Sequence, residues 1–184
     1  MKPSMRQWTD TVHSKIDKQQ SFKTREPHEF IFSPYCLKEF RNRWFVYGRR
    51  PNDRSLLNLA LDRIVFIAPA PDDARFIEDR KFDPKTWFDN VIGVTKSETD
   101  RPQKVWIKAM PEQVPYIETK PLHTSQMVVE RSEDGSAIFQ IEVVLNYEIE
   151  RELLAFGEGI KVLKPRVLVK HMKDRLRDAA TQYE

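Results

Sequence analysis

Cysteine is nearly absent from this chain: Cys36 is the single one in 184 residues. One thiol excludes an internal disulfide and a cysteine-rich zinc site. Histidine is scarce too. His13, His28, His123 and His171 are each isolated in the sequence, with no HxxxH pair, so no metal site is expected. Five glycines leave no Gly-rich loop to cradle phosphates. There is no GxSxG motif, and nothing in the sequence pairs Cys36 with a base, so Cys36 reads as an inert, part-buried thiol. No apolar run approaches a membrane span. The opening MKPSMRQWTDTVHSK lacks the apolar stretch of a secretory signal. These absences lead to the expectation of a cytoplasmic protein that is not an enzyme and carries no cofactor.

What is present points to a packed fold. Hydrophobic residues make up 40% of the chain and charged residues 32%, a balance that excludes disorder. The net charge of +3 is unevenly spread. Residues 38 to 63 hold seven basic side chains against three acidic ones, so the rest of the chain is slightly negative. At the centre of that excess lies NRWFVYGRR, residues 42 to 50. A strand that mixes arginines with aromatics is either a core strand with a charged rim or the wall of a site for a flat anion.

Periodicity divides the chain into four parts. Residues 1–21 read as a helical segment, with apolar positions at Trp8, Val12 and Ile16. Residues 22–71 read as short strands separated by turns. EFIFSPY is one strand, which Pro34 ends or places at an edge, and RWFVYG is a second, closed by Gly48. RRPNDRS carries turn chemistry, and LLNLALDRIVFIAP supplies one or two further strands. Residues 72–103 form a Pro- and Asp-rich connector, with a short helix expected at DPKTWFDNVIG. Residues 104–184 alternate strand, helix, strand, strand, helix, strand, and end in a further helix. That order is the split β-α-β arrangement of ferredoxin-like folds. The expected fold class is α+β, with a small curved sheet or barrel first.

Two features allow competing chemistry. Asp72-Asp73 is a carboxylate pair, but its Pro-rich setting reads as solvated charge. Asp62 and Arg63 interrupt an apolar run. If LDRI lies in a strand, Asp62 and Ile64 share one face while Leu61 and Arg63 share the other. Asp62 then pairs with an arginine of a neighbouring strand, or Arg63 enters an anion pocket.

SPYCLKEFRNRWFVYG, followed after a turn by LALDRI, resembles a WYL domain. That family is named for a Trp-Tyr-Leu tripeptide, here Trp44-Phe45-Val46, with Pro34 opening the segment, Arg43 before the Trp, and Asp62-Arg63-Ile64 closing it. YIETKPLHTSQ, FQIEVVLN and ELLAFGEGIKVLKP are similar to the C-terminal extension that follows WYL domains in bacterial transcriptional regulators. The resemblance spans residues 22–184. It implies an Sm-like, SH3-type β-barrel followed by a ferredoxin-like extension. It also implies ligand sensing behind an N-terminal winged helix-turn-helix, with a nucleic acid or nucleotide held in a basic pocket. Residues 1–21 are too few for that DNA-binding module, so the expectation is either that the sequence is a piece of a longer chain that carries it or that the protein lacks it. The tyrosine and leucine of the tripeptide are replaced by Phe45 and Val46, and the first barrel strand looks shortened.

The expected ligand-binding residues are Tyr35, Lys38, Arg41, Arg43, Trp44, Phe45, Arg49 and Arg63. Alternation along the strand places Trp44 and Val46 on one face, and Arg43, Phe45 and Tyr47 on the other. The expected partners are a nucleic acid or nucleotide, and a second copy of the chain docked through the extension. DNA itself is expected only where a helix-turn-helix accompanies the chain. The competing readings are a protein-interaction or dimerisation module and an accessory to a nucleic-acid-processing enzyme.

Overall fold

The computed structural model describes residues 8–12, 28–53 and 55–184. The chain divides into two compact units, the first ending at Trp87 and the second running from Phe88 to Glu184. Both are built on antiparallel sheets, and the second adds helices, so the class is α+β. No described helix is long and apolar enough to cross a membrane.

In the first unit, β1 (Trp8–Val12), β2 (His28–Phe40), β3 (Arg43–Arg49), β4 (Leu57–Ala60) and β5 (Ile64–Pro69) form one sheet in the order β4-β3-β2-β1-β5. Two expectations are corrected here. Residues 8 to 12 are a strand, paired with β2 and β5, because the β partners on both sides satisfy their backbone groups. The remainder of the expected helix lies outside the described residues. The sheet is also open: no ladder joins β4 to β5 among the described residues, so a closed barrel is not seen.

β2 carries the architecture. His28 to Phe32 pair with β1, whereas Ser33 to Phe40 pair with β3. The ladder shifts register between Pro34 and Cys36. Pro34 has no N–H to donate, which explains why the bulge sits there rather than at a strand end. Gly48 lies opposite Pro34. A Cβ on Gly48 would stand 2.2 Å from the Ser33 carbonyl oxygen and 2.6 Å from the Phe32 ring, so only glycine fits. β2 and β3 join through Arg41 (φ 52°) and Asn42 (φ 61°), a two-residue hairpin of the left-handed kind. The Asn42 amide donates to Glu39 Oε1 at 2.7 Å and holds the turn.

The LDR stretch is not a strand. Leu61–Arg63 form a 3-10 turn between β4 and β5, so the strand alternation assumed for Asp62 and Arg63 does not hold. DPKTWFDNVIG likewise forms turns rather than a helix. The Asp83 carboxylate accepts from the Lys85 amide, and the chain then turns through the Asp83 carbonyl.

The second unit follows the sequence closely. Its elements are β6 (Gln103–Ala109), α1 (Val114–Thr119), β7 (Met127–Arg131), β8 (Ala137–Val143), α2 (Tyr147–Leu154), β9 (Ile160–Lys164) and α3 (Arg166–Ala180). Strand order β7-β8-β6-β9, with every neighbour antiparallel, is the split β-α-β arrangement. Val105, Ile107, Phe139 and Ile141 point into one core, where Ile149, Leu153 and Leu168 of the helices cover them. Alternate residues therefore line an opposite face without a helix layer of buried partners. Asn146 caps α2: its Oδ1 accepts from the Ile149 amide, and its Nδ2 donates to the carbonyls of Ile92 and Thr95.

Candidate functional site

The expected ligand residues fall into two groups. Lys38, Arg41, Arg43, Trp44 and Phe45 gather on the β2–β3 hairpin. Register pairs Lys38 with Phe45, Glu39 with Trp44, and Phe40 with Arg43. Cross-strand partners share a face, so Lys38, Phe40, Arg43 and Phe45 line one side and Leu37, Trp44 and Val46 the other. Neither β1 nor β4 pairs with residues 40 to 44, so the tip is two strands wide and reachable from both sides. Arg63 joins this group through its neighbour. Arg43 donates to Asp62 Oδ2 at 2.6 Å, which ties the 3-10 turn to the hairpin and leaves Arg63 exposed beside it. The ion-pair reading of Asp62 is the one the structure adopts. The Arg41 guanidinium lies 5.7 Å from the Phe40 ring centre.

Tyr35 and Arg49 form the second group, and they face a different neighbour. The Tyr35 hydroxyl donates to the Ile77 carbonyl at 2.8 Å, and its ring packs against Phe76 and Phe82. Burial, reinforced by the Asp79 carboxylate, pushes that hydroxyl's pKa up. Arg49 is paired with Asp79. Residues 76 to 82, read in the sequence as connector, thus pack onto β2 and β3. Arg49 and the Tyr35 hydroxyl each have a partner within the first unit. The signal that could have found Asp79 was the acidic pair Glu78-Asp79 in an aromatic-bracketed stretch, Phe76 to Phe82.

Trp44, on the face it shares with Val46, is 53% exposed, whereas Tyr47 on the other face is 1% exposed. Both Val46 and Tyr47 are buried, so β3 is covered on both faces at that level and only its start projects. On Trp44's side of the hairpin lies an apolar recess of about 290 Å³, lined by Phe32, Pro34, Cys36, Leu37, Val46 and Leu61 beside Tyr35. Burial pushes the Cys36 thiol up, away from the reactive thiolate.

No described group of three or more His, Cys, Asp or Glu side chains is placed to hold a metal ion. His123 Nδ1 lies 2.7 Å from Ser125 Oγ, and His171 Nδ1 lies 2.8 Å from Glu150 Oε1, so each is held in its own local contact.

Residues 101–180 match the family model of the WCX domain. No curated protein matches the chain. Among solved structures, it is similar to proteasome accessory factor B/C (PafBC) of Arthrobacter aurescens, with 16% identity and a TM-score of 0.38. That likeness covers 96% of this chain and 25% of the other, so the chain spans about a quarter of that structure's length. An α+β chain with an open β-sheet unit and a split β-α-β unit is the class defined here. Residues 101–180, within its second unit, are a WCX domain, the C-terminal extension associated with WYL domains.

Proposed function

We propose that the chain is the effector-binding part of a WYL-type transcriptional regulator, and that it binds a nucleic acid or nucleotide at the β2–β3 hairpin. In this reading the first unit is a small Sm-like sheet that presents the hairpin. The observation that carries the reading is the hairpin tip, where Trp44 stands exposed at the start of β3, Arg41 and Arg43 precede it in the chain, and Arg63 follows the Asp62 that Arg43 binds. An indole offers a stacking surface to any base, and guanidiniums pair with phosphate oxygens. Lys38 and Phe45 continue the surface on one side, and the apolar recess beside Trp44's face suits a flat ring. The function is binding, not turnover.

Fluorescence anisotropy with a labelled single-stranded oligonucleotide tests it. Arg41→Ala, Arg63→Ala and Trp44→Ala each weaken binding about tenfold, while Lys173→Ala on α3 does not. Equal losses for hairpin and control variants would show the hairpin to be a solvated surface.

A homodimer docked through the extension belongs to the same reading. Phe139, Ile141, Leu168 and Met172 are buried in the unit's own core. Edge strand β7 instead exposes Met127, Val128 and Val129, and an apolar edge is a template for a second strand.

A further inference from the structure

The hairpin is one of two basic surfaces among the described residues. Three of its arginines already have carboxylate partners: Arg43 with Asp62, Arg49 with Asp79 and Arg50 with Asp53. The helix-free face of the WCX sheet is different. Along β6, Val105, Ile107 and Ala109 enter the core, so Lys104, Trp106 and Lys108 point the other way. β9 adds Lys161 and Lys164 on that same face, opposite Lys108 and Trp106 in register. Glu142 faces Lys104 in register, and Glu130 lies on the same side of β7, yet none of the four lysines makes an ion pair with a described residue. Asp134, in the turn after β7, senses Lys108 without pairing with it.

Lys108 and Lys161 are direct cross-strand neighbours. Like charges placed opposite each other destabilise a sheet. A sheet that keeps such a pair in its own fold is relieved when an anion sits between the two ammoniums. At the centre of the group is Trp106, on a central strand of the sheet. Its Nε1 donates to Gln140 Oε1 at 3.0 Å, which fixes the ring's orientation. The Lys164 ammonium lies 4.0 Å from the ring centre. An exposed cation–π contact is worth less than a stacked base, so a base can take the ammonium's place and leave it free for a phosphate. A four-stranded antiparallel sheet with a ring on a central strand and cations around it is suited to unpaired nucleotides, because only unpaired bases offer their faces.

We propose that the open face of the WCX sheet, centred on Trp106 with Lys104, Lys108, Lys161 and Lys164, is a second binding site for single-stranded nucleic acid. It stands independently of the hairpin site, since no residue is shared and the residues belong to different units.

The test uses the full chain and a photoactivatable twelve-nucleotide oligothymidine at low salt. Crosslinked peptides are mapped by mass spectrometry, and affinity is read by anisotropy in a chain that also carries Arg41→Ala and Trp44→Ala. Crosslinks within residues 103–109 or 160–164, and residual binding lost about tenfold on Trp106→Leu, are expected. The paired variant Lys108→Gln/Lys161→Gln adds a readout of opposite sign. It removes a like-charge pair, so the melting temperature holds or rises while affinity falls. Crosslinks confined to the hairpin, or unchanged affinity in both sheet variants, overturn the proposal. So does equal affinity for poly-glutamate, which would show a surface that takes any polyanion, acidic protein included. If the hairpin variants bind like the unaltered chain while the sheet variants fail, the hairpin reading falls and this one stands.

Discussion

Arg49 and Asp79 meet at 2.6 Å with both side chains largely withdrawn from water, 13% and 10% exposed. The pair joins β3 to the stretch that follows β5, beside a second tie in which the Ser33 hydroxyl oxygen accepts from the Ile77 amide at 3.0 Å. Removing one partner strands the other charge in a poorly solvated place. Asp79→Ala is expected to cost the first unit about 3–5 kcal/mol in chemical denaturation. The double variant Arg49→Leu/Asp79→Leu recovers part of that loss, because no lone charge remains.

The same pair sets a pH dependence. Burial alone pushes the Asp79 carboxyl up, but hydrogen bonds from Arg49 and from the Lys81 and Phe82 amides outweigh it and hold the pKa below the ordinary aspartate range. A depressed folded-state pKa gives stability that is present above the unfolded value, near pH 4, and lost as acid takes the pH down through the folded value. Denaturation of the first unit is expected to become easier below about pH 4, and Asp79→Asn should flatten that part of the curve. An unchanged acid limb in the variant would assign the effect elsewhere.

Gly48→Ala is expected to be the most damaging single methyl in the first unit. The new carbon would meet backbone at the Ser33 oxygen as well as the Phe32 ring, and backbone at a bulge cannot swing aside as a flexible side chain can. A loss of at least about 3 kcal/mol is expected by thermal or chemical unfolding. Tyr35→Phe is milder. It leaves the Ile77 carbonyl without its donor and should cost about 1 kcal/mol, with oligonucleotide binding unchanged, since the hydroxyl's partner lies within the first unit.

Binding at the hairpin should depend on salt. If Arg41, Arg63 and Lys38 neutralise phosphates, log affinity falls linearly with log salt, with a slope of about −0.7 per phosphate contact on a single strand. Arg63→Ala should reduce that slope by about one contact, whereas Trp44→Ala should weaken binding with the slope intact. A salt-insensitive affinity would remove phosphate from the account.

Val128→Lys tests the dimer. Val128 is exposed on edge strand β7, and an inward charge on an edge discourages strand addition. Light scattering at tens of micromolar should show a dimer that the substitution dissociates. A monomer before substitution would count against the surface.

The WCX unit was legible because its signals are local. Val105, Ile107 and Ala109 alternate with Lys104, Trp106 and Lys108, so period two marks both the strand and its faces. The Gly157–Gly159 turn follows α2 where the glycines of LLAFGEG mark a stop, whereas the Asn146 cap emerges only from the structure. The first unit was harder to read. Trp8 to Val12 carry apolar residues at spacing compatible with a helix, yet the chain adds them to a sheet, where β2 and β5 supply partners that no local pattern announces. Asp62 and Arg63 looked like strand residues because apolar neighbours flank them, but the chain turns there between two edges.

What the sequence determined by itself is the set of materials: an α+β chain, a basic-aromatic segment on a strand, a split β-α-β unit, and the family those residues resemble. Periodicity, turn chemistry and composition act over a few residues and survive without the fold. Only the tertiary structure decided which charges remain available. It joined Arg43 to Asp62 and Arg49 to Asp79 across 19 and 30 residues of chain, and it set Lys108 against Lys161 with no carboxylate of the described residues in ion-pair reach of either. Charge pairing depends on distance in space, and strand register, not sequence spacing, fixes that distance.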